Sequence, residues 1–205
     1  MKKIKRLDYT LIAEGFAEYA FISTYLRVIA EGYNVQAVQS QIASKNKRLG
    51  KSRVLSEAGK FCTAAITEDH NLVLVGVDLD RADHQKEQLL HKAECKKLSE
   101  AMGRVYIDYG DIIVLYVPVQ AIEHWLAYQA YKINLIDSIT ANGVESRPQS
   151  ELKKVLYRGK EDQFTIEKIA KEIAKKADFD ELAKQSRSFC HFHEQVRAFL
   201  ISFSH

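Results

Sequence analysis

Short apolar runs alternate with longer stretches in which large apolar residues recur at helical spacing, through the first two thirds of the chain. The run LVLVGV at 72–77 is apolar at every position, which is typical of a central strand covered on both faces. The alternation predicts an α/β fold with a doubly wound, mostly parallel sheet and right-handed crossovers. The predicted strands are 9–13, 35–42, 72–77 and 112–117, and the predicted helices are 16–30, 54–67, about 84–102 and 121–131.

Only helical patterns recur beyond residue 140. We therefore predict an α/β domain over residues 1–140 and a helical C-terminal cap, packed on it, over residues 141–205. Ser186 or Ser188, which precede the last apolar stretch, is expected to cap its helix, because serine hydroxyls accept hydrogen bonds from the first free N–H groups. The candidate helices of the cap are 152–157, 166–177 and 189–203.

Composition fits one packed core in an intracellular protein. The 205 residues are 46% hydrophobic, which is enough apolar material for a single domain with a small appendage. The three cysteines, Cys62, Cys95 and Cys190, are widely spaced and form no CxxC pair, which favours reduced thiols over disulfides or structural zinc. No secretory signal and no membrane-spanning apolar stretch is apparent, so the expected location is cytoplasmic, away from membranes.

Acidic residues follow two of the predicted strands. Asp78 and Asp80 end the run at 72–77, while Glu14 ends the first run and Glu18 lies one helical turn further on. Ligands of open α/β sheets bind at the carboxyl ends of the strands, so both pairs are expected at one edge. Adjacent carboxylates repel unless a cation lies between them, and oxygen ligands with room for water suit Mg²⁺ or Mn²⁺.

Each acidic pair also has a simpler interpretation. Strand-end aspartates commonly cap the next helix or face solvent, and Glu18 could be an ordinary acid of a first helical turn. Gly15 between the glutamates permits a tight turn, and the helix that follows it offers a favourable site for a phosphate. The two pairs together are therefore more specific than either pair alone.

The combined pattern resembles that of TOPRIM domains. LIAEGFAEYAF is similar to their EG motif, with the second glutamate of the OLD-type nuclease branch, and LVLVGVDLDRADH is similar to their DxD motif. The resemblance implies Mg²⁺-dependent action on phosphodiester bonds. It makes Glu14 a general acid or base and a metal ligand, Glu18 a second ligand, and Asp78 and Asp80 the metal pair. The analogy with OLD-type systems also implies a partner ATPase and a setting in phage defence.

Most of the chain is also similar to a bacterial TOPRIM-like family related to the OLD-type nucleases. That family places an acid before a Trp-Leu helix motif, here IEHWLA, and ends in a Ser-Phe signature, here SRSFCHF. The chain departs from the family where Tyr128 or Gln129 replaces an aspartate. It also lacks the proline of a Pro-Lys pair near Lys153, so no role is carried over to that lysine.

Glu123 at the start of IEHWLA has two interpretations. It could complete the site as a further carboxylate with a catalytic role, since two-metal chemistry normally needs a third acid. It could equally be an acid stabilised by the helix macrodipole. Trp125, two positions later, is expected in the core.

The densest basic segment of the chain contains no acid and follows the second predicted strand. It could hold a DNA or RNA backbone electrostatically at the edge where Glu14 lies, or it could be a solvated loop. Its candidate nucleic-acid-binding residues are Lys45, Lys47, Arg48, Lys51 and Arg53.

The leading hypothesis is a Mg²⁺-dependent nuclease or phosphodiesterase that acts on DNA or RNA. One alternative is a non-catalytic TOPRIM-like subunit that binds nucleic acid or a nucleotide beside a partner ATPase. Another is a sugar-nucleotide transferase with a DxD motif, which leaves Glu14 and Glu18 unexplained. No GxSxG, Walker A or GxGxxG motif is present, and His191 and His193 in HFH are poorly aligned for a metal pair.

Overall fold

The computed structural model describes residues 4–40, 49–136 and 149–204, and it contains an α/β fold with one parallel sheet. Four strands lie in the order β2-β1-β3-β4, and every neighbouring pair is parallel, which confirms the predicted α/β class. The strands are β1 (Lys5–Ile12), β2 (Val35–Gln39), β3 (Leu72–Gly76) and β4 (Ile113–Tyr116). The helices of the described residues are α1 (Phe16–Glu31), α2 (Lys51–Thr67), α3 (Leu89–Met102), α4 (Arg104–Tyr109), α5 (Ile122–Lys132), α6 (Gln149–Tyr157), α7 (Gln163–Lys176), α8 (Phe179–Gln185) and α9 (Arg187–Ser204).

Alternate residues of the central strands enter two separate cores, one on each face of the sheet. Leu74 and Tyr116 join the core formed with α1, α5 and the C-terminal helices, whereas Val75 and Leu115 join the core formed with α2, α3 and α4. Successive side chains of a strand point to opposite faces, so an unbroken apolar run supplies both cores at once. The run LVLVGV has no polar residue because its side chains enter both cores.

Several element boundaries differ from those predicted. The first strand begins at Lys5, because its charged residues Lys5 and Arg6 still pair with β2 although they face solvent. The third long helix begins at Leu89 rather than near residue 84, and Asp83 accepts a hydrogen bond from the His91 N–H at 2.9 Å in its first turn. The short helices α4 and α8 carry too few apolar positions to show a helical period.

The helices between 149 and 204 share their core with the sheet. Phe21 and Tyr25 of α1 contact the rings of Phe179 and Phe189, with ring centroids 4.8 to 6.4 Å apart. Trp125 is fully buried beside them, as expected. Such aromatic pairs add to the stabilisation from burial, so this core fixes the C-terminal helices against α1 and α5. The predicted domain boundary at 140/141 lies outside the described residues.

Two further expectations concern single features. Ser186 Oγ accepts a hydrogen bond from the Phe189 N–H at 3.1 Å, which confirms the predicted cap of the last helix. Among the residues described, no helix is both long and apolar enough to cross a membrane.

Candidate functional site

A cavity of about 210 Å³ opens at the carboxyl edge of the sheet and brings all the predicted acids together. The loops after β1 and β3 and the first turns of α1 and α5 supply these side chains. We call it the acid cavity and define it by the predicted acids Glu14, Glu18, Asp78, Asp80 and Glu123; Glu161, which the sequence did not single out, also lines it. The two acidic pairs therefore lie together at one edge of the sheet, as predicted, and Glu123 lies beside them.

Asp78 is the buried centre of the acid cavity. Its backbone N–H donates to Glu14 Oε1 at 2.7 Å, and its Oδ1 accepts from the Ile122 N–H at 3.0 Å. These two bonds tie the loop after β3 to the end of β1 and to the start of α5. Burial, followed by the charges of Glu18, Glu123 and Glu14, raises the pKa of Asp78 well above its usual range.

Asp80 differs from Asp78 although both belong to the DxD motif. The strand ends at Gly76, and Asp80 adopts a left-handed backbone with φ of 62°, so the two aspartates do not continue one strand face. The side chain of Asp80 is 58% exposed, and its Oδ2 lies 2.9 Å from Lys51 Nζ. Lys51 also bonds the Asp78 carbonyl oxygen and lies 3.2 Å from Glu94 Oε1.

Glu18 is buried in the first turn of α1 and faces the other acids. Burial is the main cause that raises its pKa to about 8, and the charges of Glu123 and Glu14 add to it. A glutamate in this position carries a proton at neutral pH unless a cation compensates its charge.

Glu123 meets a polar stripe of α6 that the sequence did not assign. Its Oε1 accepts from the Tyr157 hydroxyl at 3.2 Å and lies 3.8 Å from Lys153 Nζ, while its Oε2 accepts from Gln149 Nε2 at 3.3 Å. Residues 149, 153 and 157 are four apart and therefore lie on one helix face. The four-residue spacing predicts this shared face from the sequence. Only the fold shows that the face contacts the acids.

A close contact between two strands forms the floor beneath the acids. A Cβ atom on Gly76 would lie 2.2 Å from the Tyr116 ring, and the Tyr116 hydroxyl donates to the Ile12 carbonyl at 3.3 Å. Only glycine allows the ring to lie across β3 at this point. The Tyr116 ring therefore supports the strand ends from which Glu14 and Asp78 follow.

The acid cavity fits a hydrated divalent cation in its donor chemistry. The pKa values of the buried Glu18 and Asp78 are raised by burial and by the neighbouring carboxylates, which a divalent cation would offset, and carboxylate oxygens are the ligands of Mg²⁺ and Mn²⁺. Across the described ranges, the acids form no group of three whose ligand oxygens all lie within 4.8 Å of one another. This wider spacing suits an ion that keeps several of its own water molecules.

The predicted basic segment is only partly described. Lys45, Lys47 and Arg48 lie outside the described residues. Lys51 and Arg53 belong to the first turn of α2 rather than to a loop, and their nearest acidic partners are Asp80 and Glu57, each at 2.9 Å. Nucleic-acid binding by these residues stays a prediction.

Comparisons with protein-family models, with curated proteins and with solved structures give no significant match to the chain. The TOPRIM-like resemblance therefore stays a prediction that rests on the two motifs.

Proposed function

We propose that this chain is a Mg²⁺- or Mn²⁺-dependent, TOPRIM-like nuclease that cleaves phosphodiester bonds of DNA or RNA. The observation that carries the proposal is the convergence of Glu14, Glu18, Asp78 and Glu123 in one cavity at the carboxyl edge of a parallel sheet. Four acids from three strand ends are more than helix capping requires, and two of them have pKa values raised by burial and mutual repulsion.

The surroundings of the acids suit a phosphate. The helices α1 and α5 both begin at the acid cavity, where the positive ends of their dipoles favour an anion, and Lys153 supplies a cation in the same cavity. A bound metal ion would supply charge stabilisation for the phosphoryl oxygens and a more acidic water.

The residues divide into different roles in this proposal. Asp78, held by the hydrogen bonds of its N–H and its Oδ1, would be the central metal ligand, and Glu14, Asp80 and Glu123 would contact water molecules of the ion. Glu14 keeps the general acid or base role that the resemblance implies. Glu18, whose pKa is raised to about 8, can hold a proton near neutral pH and is a second candidate for that role.

The test combines Mn²⁺ calorimetry with metal-dependent cleavage of single- and double-stranded DNA and RNA. Asp78→Asn keeps the acceptor for the Ile122 N–H but removes the charge. We expect it to lose Mn²⁺ binding and to reduce cleavage by roughly 100-fold or more, which corresponds to about 2.7 kcal/mol. Glu14→Gln should reduce cleavage similarly. Asp111→Asn is the matched control, because Asp111 is exposed before β4, at the opposite edge of the sheet.

Two results would contradict the proposal in different ways. Absence of Mn²⁺ binding by the wild type, or equal binding by wild type and Asp78→Asn, would remove the metal site. Normal Mn²⁺ binding without cleavage of any nucleic acid, alone or with a partner ATPase, would reject the nuclease and select the binding-only subunit.

A further inference from the structure

A second group of potential metal ligands lies where α3 and α9 meet beside the edge strand β4. His91 and Cys95 are four residues apart on α3, so they share one helix face, and His191 reaches them from α9. We call these three residues the His–Cys cluster. They include no residue that lines the acid cavity.

The spacing of the cluster is close to that of ligands around one ion. The Cys95 Sγ lies 3.9 Å from His91 Nε2 and 4.0 Å from Nδ1, and one ligand atom from each of the three residues lies within 4.8 Å of the others. Zinc binds sulfur at about 2.3 Å and imidazole nitrogen at about 2.0 Å, which puts tetrahedral ligands about 3.6 Å apart. Small rotations of the three side chains would bring their ligand atoms from within 4.8 Å of one another to about 3.6 Å.

We propose that His91, Cys95 and His191 bind one Zn²⁺ ion, with the fourth position open to water. Two imidazoles and one thiolate are ligands that suit zinc, whereas Mg²⁺ prefers oxygen. The ion would join α3 to α9 across the edge of the sheet. This inference is independent of the proposed function, because the two sites share no residue.

The surroundings of the cluster hold its ligands in place. The backbone N–H of His91 donates to the buried Asp83, and Arg187 at the start of α9 donates to the carbonyl oxygens of Asp83 and Gln85. Gln195 contacts His191 Nδ1 at 3.1 Å and also bonds the backbone of Leu115 in β4. These contacts fix the start of α3 against the start of α9 and occupy Nδ1 of His191, which leaves its Nε2 as the nitrogen for an ion.

The protonation of the two imidazoles agrees with such a site, whereas the thiol must lose a proton when the ion binds. Burial, followed by the nearby His191, lowers the pKa of His91 to about 4, so the ring is neutral at physiological pH, the form that binds metals. Burial raises the pKa of the Cys95 thiol to about 11, so zinc binding must release the sulfur proton to solvent. The exposed His191 leaves the cluster accessible to an entering ion.

The test uses Zn²⁺ calorimetry and Co²⁺ absorption on the full chain, with excess Mg²⁺ present to occupy the acid cavity. The wild type should bind one Zn²⁺, and its Co²⁺ form should show a sulfur-to-cobalt charge-transfer band. Cys95→Ser should abolish that band. His191→Ala should weaken Zn²⁺ binding by roughly 100-fold or more, since loss of even an outer partner typically costs 10- to 100-fold.

Matched controls are available for both ligand types. Cys190→Ser changes the thiol next to His191, and His84→Ala changes an exposed histidine before α3; both should keep the band and the affinity. Asp78→Asn should also keep them, which separates this site from the proposed nuclease site. A band that persists in Cys95→Ser, Zn²⁺ binding lost equally in Asp78→Asn, or no Zn²⁺ binding by the wild type would overturn the proposal.

Discussion

The acid cavity collects carboxylates from loops after strands and from the first turns of α1 and α5, whereas the His–Cys cluster collects nitrogen and sulfur from the first two turns of α3 and α9. The two regions also differ in charge before any ion binds. Glu18 and Asp78 are buried beside further acids, and both have raised pKa values. His91 is buried too, but its pKa is lowered, so it stays neutral.

This difference in charge determines how each region affects the stability of the metal-free protein. Buried like charges destabilise the folded state unless they take up protons or a cation, so the acid cavity carries an electrostatic penalty that ion binding relieves. Neutral imidazoles and a protonated thiol carry no comparable repulsion. The stability of the metal-free protein should therefore fall through the acid cavity as pH rises toward 8, and through His91 as pH falls below 6.5.

The largest expected effect comes from the floor of the acid cavity. In Gly76→Ala the new Cβ must displace the Tyr116 ring, from which it would lie only 2.2 Å. Overpacking of this kind costs about 1–3 kcal/mol, and we expect the upper end because the clash involves a buried ring between two strands. Chemical denaturation measures the loss, and Mn²⁺ calorimetry should show weaker binding at the acid cavity.

Gly59→Ala is the control for Gly76→Ala. Gly59 lies within α2, where a Cβ would approach the Met102 carbonyl oxygen at 3.3 Å and alanine favours the helix by up to about 1 kcal/mol. We expect its stability to stay within about 1 kcal/mol of the wild type. If Gly76→Ala weakens Mn²⁺ binding but keeps the Co²⁺ band, the two sites are independent. If it reduces Mn²⁺ binding and the Co²⁺ band equally, they are not independent.

A smaller effect should appear in the pH dependence of stability. The pKa of Glu18 rises from 4.5 to about 8 on folding, so between these values the folded state binds more protons than the unfolded state. Below pH 6.5 the lowered pKa of His91 acts in the opposite direction, so the loss is expected above it: between pH 6.5 and about 8 the metal-free protein should lose stability as pH rises. Mn²⁺ at 100 times its Kd should add about 2.7 kcal/mol, and that gain requires the ionised acids that are present toward pH 8. Thermal unfolding near both ends of the window, with and without Mn²⁺, measures both effects.

Glu18→Gln should flatten this pH dependence and weaken Mn²⁺ binding. Glu31→Gln, at the exposed end of the same helix, should leave both unchanged. Stability of the metal-free wild type that rises between pH 6.5 and 8 would contradict the electrostatic account of the acid cavity.

The two regions also differ in how far the sequence predicts them. Glu14 and Asp78 follow apolar runs directly, so strand order along the chain is enough to place them at one edge. His91 and His191 belong to helices distant in sequence, and nothing in local spacing brings α3 against α9. The same limit applies to Lys153, whose four-residue spacing from Gln149 and Tyr157 shows a shared face but not what that face contacts.

The boundary errors have a related physical cause. Apolar periodicity detects buried faces, so it misses Lys5 and Arg6 at the solvent end of β1 and the short helices α4 and α8. It also extends α3 back to residue 84, because charged residues before Leu89 do not distinguish a helix from a loop. The different roles of Asp78 and Asp80 arise from backbone geometry after Gly76, where the strand ends.

The smallest expected effect concerns Lys153, where charge acts in opposite directions on metal and substrate. Lys153→Met removes the cation that lies 3.8 Å from Glu123 Oε1, so the acid cavity becomes more negative and should bind Mn²⁺ more tightly. The same change removes a phosphate partner, so KM for nucleic acid should rise about fivefold, or about 1 kcal/mol. Lys154→Met, on the exposed neighbour in α6, should alter neither value, and Zn²⁺ binding at the His–Cys cluster should stay constant in both variants. A merely structural lysine would weaken Mn²⁺ and nucleic-acid binding together, so the opposite signs of the two changes decide its role.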